Sequence, residues 1–89
     1  MKIRQRITFA GRVQGVGFRY RAKYAADGCG VTGWVHNEWD GTVLMEAQGT
    51  SDQINEMLKI LNQSAYIAID RLERKDIPTE EQEYGFHIR

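Results

Sequence analysis

The spacing of apolar residues changes from strand-like to helical across one short stretch, Gly11-Arg12-Val13-Gln14-Gly15-Val16-Gly17-Phe18-Arg19. Before it, Ile3, Ile7 and Phe9 fall on one face of a period-two run and Arg4, Arg6 and Thr8 on the other, as in a strand with one buried face. After it, Phe18, Ala22, Ala25 or Ala26 and Cys29 recur at helical spacing. That predicts a helix from about Arg19 to Gly28, with Gly28 and Gly30 as its stop. So abrupt a change of direction needs a bend, and Gly15 and Gly17 supply backbone with no Cβ in the way. The first turn of the helix then points unpaired N–H groups, and the positive end of its dipole, into the bend. Such a place suits an anion.

Arg19, Arg21 and Lys23 sharpen that expectation. They fall in the first turns of the helix, where an exposed cation opposes the dipole at roughly 0.3–1 kcal/mol each. A bound phosphate or carboxylate reverses the sign for any side chain that reaches it. The loop by itself leaves two readings open, an anion site or a glycine-rich turn with solvated bases. It is not a Walker A loop, since no Gly-Lys-Ser/Thr follows at the required spacing. Nor is it a complete dinucleotide fingerprint, because Tyr20 stands where the third glycine would be.

The chain continues with a strand over Val31–Asn37 and another over Thr42–Ala47. Between them Glu38-Trp39-Asp40-Gly41 carries an Asp-Gly turn signal, which predicts a hairpin. A second helix opens at Thr50 or Ser51, where Thr50 and Gln53 have the spacing of a capping box. Ile54, Met57, Leu58 and Leu61 give it one apolar stripe, read as core. Alternation resumes from Tyr66 to about Lys75 and slips phase at Leu72, where a bulge is expected. An acidic loop follows Pro78, and Tyr84, Phe86 and Ile88 form a short last strand. The order β-α-β-β-α-β plus a terminal strand predicts an α+β, ferredoxin-like (split βαβ) sandwich, with two helices on one face of an antiparallel sheet.

The length of 89 residues reads as one domain over 1–89. No apolar run approaches the ~20 residues of a membrane span, no signal peptide is recognised, and one cysteine permits no internal disulfide. The expected location is the cytoplasm. The net charge is zero, but residues 1–23 hold seven Lys/Arg and no acid, while the rest hold five bases against all twelve acids. The basic segment surrounds the loop and predicts a locally positive field that attracts small anions. A neutral chain is a poor polyanion binder, so nucleic acid is not the expected partner.

Two stretches carry a family resemblance. Gly11 to Arg19 resembles the first signature of the acylphosphatase family, and Gly33-Trp34-Val35-His36-Asn37 with Asp40-Gly41-Thr42-Val43 resembles its second. Gly49 and the terminal Phe86-x-Ile88 also fit, so the likeness spans nearly the whole chain. The segment after helix two departs from it, with Asn62-Gln63-Ser64-Ala65-Tyr66 where many members carry Gly-Pro. The resemblance implies hydrolysis of acyl phosphates to a carboxylate and inorganic phosphate, with no metal or other cofactor. It implies that Arg19 binds the phosphoryl group together with loop backbone N–H groups of Gln14, Gly15, Val16, Gly17 and Phe18, and that Asn37 holds the attacking water.

Residue chemistry agrees with those roles. A guanidinium fork suits phosphate oxygens and keeps its proton. Asn37 can orient a water but cannot act as a base near neutral pH. His36, on the opposite face of its strand from Asn37, is read as a strand histidine, as is His87. Cys29 is read as core filler, Trp34 as packed, and Arg12, Arg21 and Lys23 as sources of field and solubility. Trp39 is placed in the hairpin loop, where it could touch the acyl group. The expected partner is a small acyl phosphate or inorganic phosphate, and the expected state a monomer. Two alternatives stand beside this. One is an acylphosphatase-like module of a hydrogenase-maturation carbamoyltransferase. The other is a non-catalytic anion- or RNA-binding domain, which would need aromatic platforms on its open sheet face.

Overall fold

A computed structural model describes residues 1–89. The elements are β1 (Lys2–Arg12), α1 (Phe18–Cys29), β2 (Thr32–Asn37), β3 (Val43–Thr50), α2 (Ser51–Asn62), β4 (Ala68–Ile77) and β5 (Phe86–Ile88). All five strands join one sheet in the order β4-β1-β3-β2-β5. The first four pair antiparallel, as the alternation implies. The terminal strand runs parallel to β2, with Gly33 beside Phe86 and Val35 beside Ile88, so the sheet is mixed. Both helices meet the sheet on the face that carries Ile7, Phe9, Val35, Val43, Met45 and Phe86, which together with Phe18, Ala22, Ala26, Ile54, Met57 and Leu61 make the core. The α+β ferredoxin-like architecture expected from the element order is the one observed. No helix is long and apolar enough to cross a membrane.

Local chemistry explains the ends of the elements. β3 runs three residues further than its pattern suggested and passes directly into α2, with Thr50 ending the strand and capping the helix. The Thr50 hydroxyl accepts from the Gln53 N–H, and the Gln53 side chain accepts from the Thr50 N–H. This is the capping box, with Asp52 in the first turn and Lys59 in the last as the helix dipole favours. At its other end α2 closes without glycine: the Gln63 N–H donates to the carbonyls of Ile60 and Leu61, and the Ser64 N–H to Leu61. The departure after helix two is therefore met by tight right-handed backbone, which any residue adopts.

The bulge in β4 lies at Asp70, two residues before the expected Leu72. Ala10 pairs with Arg71 and Gly11 with Ile69, so Asp70 is the extra residue. The bulge rests on Gly11, whose φ is 127°. A Cβ at Gly11 would strike the carbonyl of Ala68. The first glycine of the signature is thus held by the neighbouring strand rather than by a ligand.

The exposed sheet face holds a feature that alternation does not show. Arg4 and Glu46, in adjacent strands, are 3% and 8% exposed. The Arg4 guanidinium meets Glu46 at 2.9 Å and Glu83 at 2.7 Å, and Arg6 meets the other oxygen of Glu46 at 2.6 Å. Gln48 exchanges two hydrogen bonds with the Glu80 backbone, at 2.8 and 2.7 Å, and so straps the loop before β5 across the sheet. Burial alone pulls the Arg4 pKa down, but the hydrogen bonds and charges of Glu83 and Glu46 outweigh it and leave it raised. Burial alone raises the Glu46 pKa, and the hydrogen bonds from Arg6 and Arg4 overcome it and hold the carboxyl below its usual range.

Candidate active site

The bend between β1 and α1 is built by two left-handed glycines. Gly15 has φ 73° and Gly17, the residue before α1, has φ 77°. A Cβ at either would meet nothing within 4 Å, so the requirement here is conformational and not steric crowding. The ends of the loop are anchored in the core: Val13 is buried before the bend, and Phe18 is buried after it with its ring edge on Phe9 at 4.9 Å between centroids. Between those anchors the backbone is free to face outward.

The start of α1 differs from that of α2. No side chain caps it and no acid stands in its first turn. Its first-turn N–H groups are left without the side-chain partners that α2 provides for its own, which is the arrangement an external anion completes.

A pocket of about 140 Å³ opens at this point, lined by Val13, Gly15, Gly17, Phe18, Arg19, Tyr20 and Asn37. Arg19 takes part in none of the ion pairs of the molecule. Asn37, the last residue of β2, contributes a side-chain oxygen that is buried and has no hydrogen-bond partner. Leaving such an acceptor unsatisfied costs about 1–3 kcal/mol. Here it borders the pocket, where a small polar ligand would supply the missing donor.

Arg19, Asn37, Gly15, Gly17 and Phe18 are thus brought together as the sequence suggested. Gln14 and Val16 do not line the pocket. Val16 packs against the core, and the Gln14 side chain turns the other way, donating to the carbonyls of Glu38 at 2.7 Å and Thr42 at 2.8 Å. Tyr20, 61% exposed, also lines the pocket and was missed, because one solvent-facing tyrosine on a helix carries no periodic signal.

The hairpin that presents Asn37 has its own fastening. The Asp40 carboxylate accepts from the Thr42 hydroxyl at 2.7 Å and from the Thr42 N–H at 3.0 Å. Those two bonds hold the Asp40 carboxyl below the usual carboxylate range. Trp39 at the tip is 96% exposed. His36 is exposed on the other sheet face beside Glu38 at 3.8 Å and is not directed at the pocket. Cys29 is partly buried against the core, and burial, helped by Glu56, raises its thiol pKa.

Folding pairs part of the basic segment with acids from later in the chain. Arg4 and Arg6 are neutralised on the open sheet face. Lys23 pairs with Asp27 and donates to the Phe86 carbonyl at 3.0 Å. Arg21 stacks over Tyr66, 5.7 Å from the ring centroid. Of the seven bases, Arg19 is the one that lines the pocket.

Fold and site together define a small ferredoxin-like domain in which an uncapped helix start, an arginine and an asparagine share one pocket. Comparison with known proteins specifies it further. The acylphosphatase family model matches residues 5–88. An acylphosphatase of Clostridium perfringens is 39% identical over 85 residues, covering 94% of this chain and 96% of its own. One from Clostridium acetobutylicum is 40% identical over 89 residues, covering 99% and 98%. The crystal structure of the acylphosphatase from Bacillus subtilis matches with a TM-score of 0.89 at 31% identity, covering 98% of each chain. The chain belongs to the acylphosphatase family. Its activity is that of a hydrolase acting on acid anhydrides, with small acyl phosphates as substrates.

Proposed function

We propose that this activity proceeds by in-line attack of a water held by Asn37 on a phosphoryl group held by Arg19 and by backbone N–H groups of the loop at Gly15, Gly17 and Phe18, its pocket-lining residues. The water oxygen bonds to phosphorus as the bond from phosphorus to the acyl oxygen breaks. The carboxylate departs with that electron pair, and the water proton passes to a phosphate oxygen. A carboxylate is a good leaving group, so no general acid is needed. Phosphoryl transfer asks for positioning and charge neutralisation more than for covalent help, and a fixed cation beside helix N–H groups supplies both.

The observation that carries this reading is the unpartnered, buried Asn37 side-chain oxygen bordering the same pocket as the uncapped start of α1. The RNA-binding alternative gains no support from the open sheet face. Its Trp34 lies under the Arg89 guanidinium at 4.6 Å, amid ion pairs. We take the monomer as the working unit, since Arg19 and Asn37 of a single chain line one pocket. The single thiol suits the reducing cytoplasm.

The test is hydrolysis of a simple acyl phosphate, with EDTA present, by wild type, Arg19→Ala and Asn37→Ala. Each variant should stay folded and lose on the order of 10²–10³ in rate. A folded variant of either kind with wild-type turnover would remove that residue from the mechanism.

A further inference from the structure

β1 and β2 are not neighbours in the sheet, because β3 lies between them. The ladder joining β1 to β3 ends at Phe9 and Val43. Beyond Phe9, β1 pairs with β4 alone. No ladder hydrogen bond therefore fixes the loop after Val13 against the hairpin that presents Asn37. The two halves of the site need another connection.

The Gln14 side chain is that connection. Its amide nitrogen donates to the Glu38 and Thr42 carbonyls at 2.7 and 2.8 Å. Both partners are acceptors, so only the NH₂ group can face them, and the orientation of the amide follows from chemistry. The same two carbonyls close the hairpin: Thr42 O accepts from the Glu38 N–H at 2.9 Å and Glu38 O from the Gly41 N–H at 3.2 Å. Glu38 follows Asn37 directly, and Thr42 directly precedes Val43, the ladder partner of Asn37. Gln14 thus grips the hairpin at its base, one residue from the asparagine, while its own backbone begins the bend that leads to Arg19.

We propose that Gln14 is a positioning residue whose side chain sets the Asn37 amide at its working distance from the phosphoryl-binding loop. This rests on the roles given above to Arg19 and Asn37. The loop keeps its shape through buried Val13 and Phe18 and through α1, so anion binding survives loss of the clamp. What is lost is the alignment of water with phosphorus, and so turnover.

Three variants test this. Gln14→Leu removes both donors at similar side-chain volume. It should lower kcat by roughly 10–100-fold, as expected for a misplacement near 1 Å, while the inhibition constant of inorganic phosphate changes less than about threefold. In Gln14→Glu the carboxylate cannot donate to two carbonyls, whereas its protonated form can donate one O–H. Activity relative to wild type should therefore rise as pH is lowered, a profile that packing alone would not produce. Gln14→Asn, one methylene short, should fall between Leu and wild type. Wild-type kcat in folded Gln14→Leu overturns the proposal, as does a phosphate constant that worsens in step with kcat. If Gln14→Leu does not fold, the Gln14→Glu profile decides, and a profile parallel to wild type is fatal. Arg19→Ala and Asn37→Ala in the same assay separate the two levels. Full activity in those sinks the site itself, while their inactivity beside an active Gln14→Leu sinks the clamp alone.

Discussion

Arg19 and Asn37 line one pocket from two separate elements, Arg19 in the first turn of α1 and Asn37 at the end of β2. Neither is consumed by a partner within the protein in the way other polar groups are. The Arg19 guanidinium is outside the ion-pair network that neutralises Arg4 and Arg6, and the Asn37 oxygen is buried without a donor. A cation and an acceptor kept in reserve at one place are what a phosphoryl group and a water would complete.

Inorganic phosphate should stabilise the folded chain. A ligand that binds only the native state adds RT ln(1 + [L]/Kd), about 2.7 kcal/mol at a hundredfold excess over Kd. Thermal unfolding of wild type should shift upward with phosphate and saturate. The shift should be largely lost in Arg19→Ala, and an equal shift in that variant would place the anion elsewhere.

Stability should fall on acidification through Glu46. Its folded pKa lies below its unfolded value, so its contribution is fully present above the unfolded carboxylate pKa of about 4.3 and is lost as pH falls through the lower, folded value. Removing one partner of a buried pair costs about 3–5 kcal/mol. Urea unfolding of Glu46→Ala should accordingly show a loss of that order at neutral pH, with a shallower further decline than wild type as pH falls below the unfolded carboxylate range. Parallel declines would assign the acid sensitivity to other carboxyls.

Two glycines of the loop region should respond differently to alanine. At Gly17 the left-handed φ is the sole obstacle, since a Cβ meets nothing within 4 Å, and the cost should be about 1–2 kcal/mol. At Gly11 the Cβ strikes the Ala68 carbonyl, so the β4 bulge must move as well. Gly11→Ala should therefore destabilise more than Gly17→Ala in chemical denaturation. Gly17→Ala should be the more damaging of the two to acyl phosphate turnover, because Gly17 lines the pocket.

Thr50→Ala separates stability from function. Loss of the hydroxyl that accepts from the Gln53 N–H should cost about 1 kcal/mol. Thr50 does not line the pocket, so turnover measured below the melting transition should stay at the wild-type value. A concurrent loss of activity would show that α2 is coupled to the site.

The elements were legible in the chain because their signals are local. Alternation at Ile7 and Phe9, helical spacing at Phe18, Ala22 and Ala26, and the Thr50–Gln53 cap act within a few residues and need no knowledge of the rest of the fold. Arg19 and Asn37 were legible for another reason: the two signatures that contain them sit in sequence at fixed spacing. The bulge was misplaced by two residues because its position depends on Gly11 in another strand. Tyr20 at the pocket and the inward turn of the Gln14 side chain had no local signal at all.

Charge shows where sequence stops being sufficient. Seven bases before residue 24 and no acid among them are a property of the chain read in order. Electrostatic energy depends on distance in space, and only the sheet order β4-β1-β3-β2-β5 brings Glu46 beside Arg4 and Arg6, while the strapped loop brings Glu83. Local periodicity and glycine placement determined which segments are strands and helices and where the chain bends. The tertiary structure decided which of those bases are neutralised and that Arg19 is left to face the pocket, because pairing is settled by contacts between residues far apart in the chain.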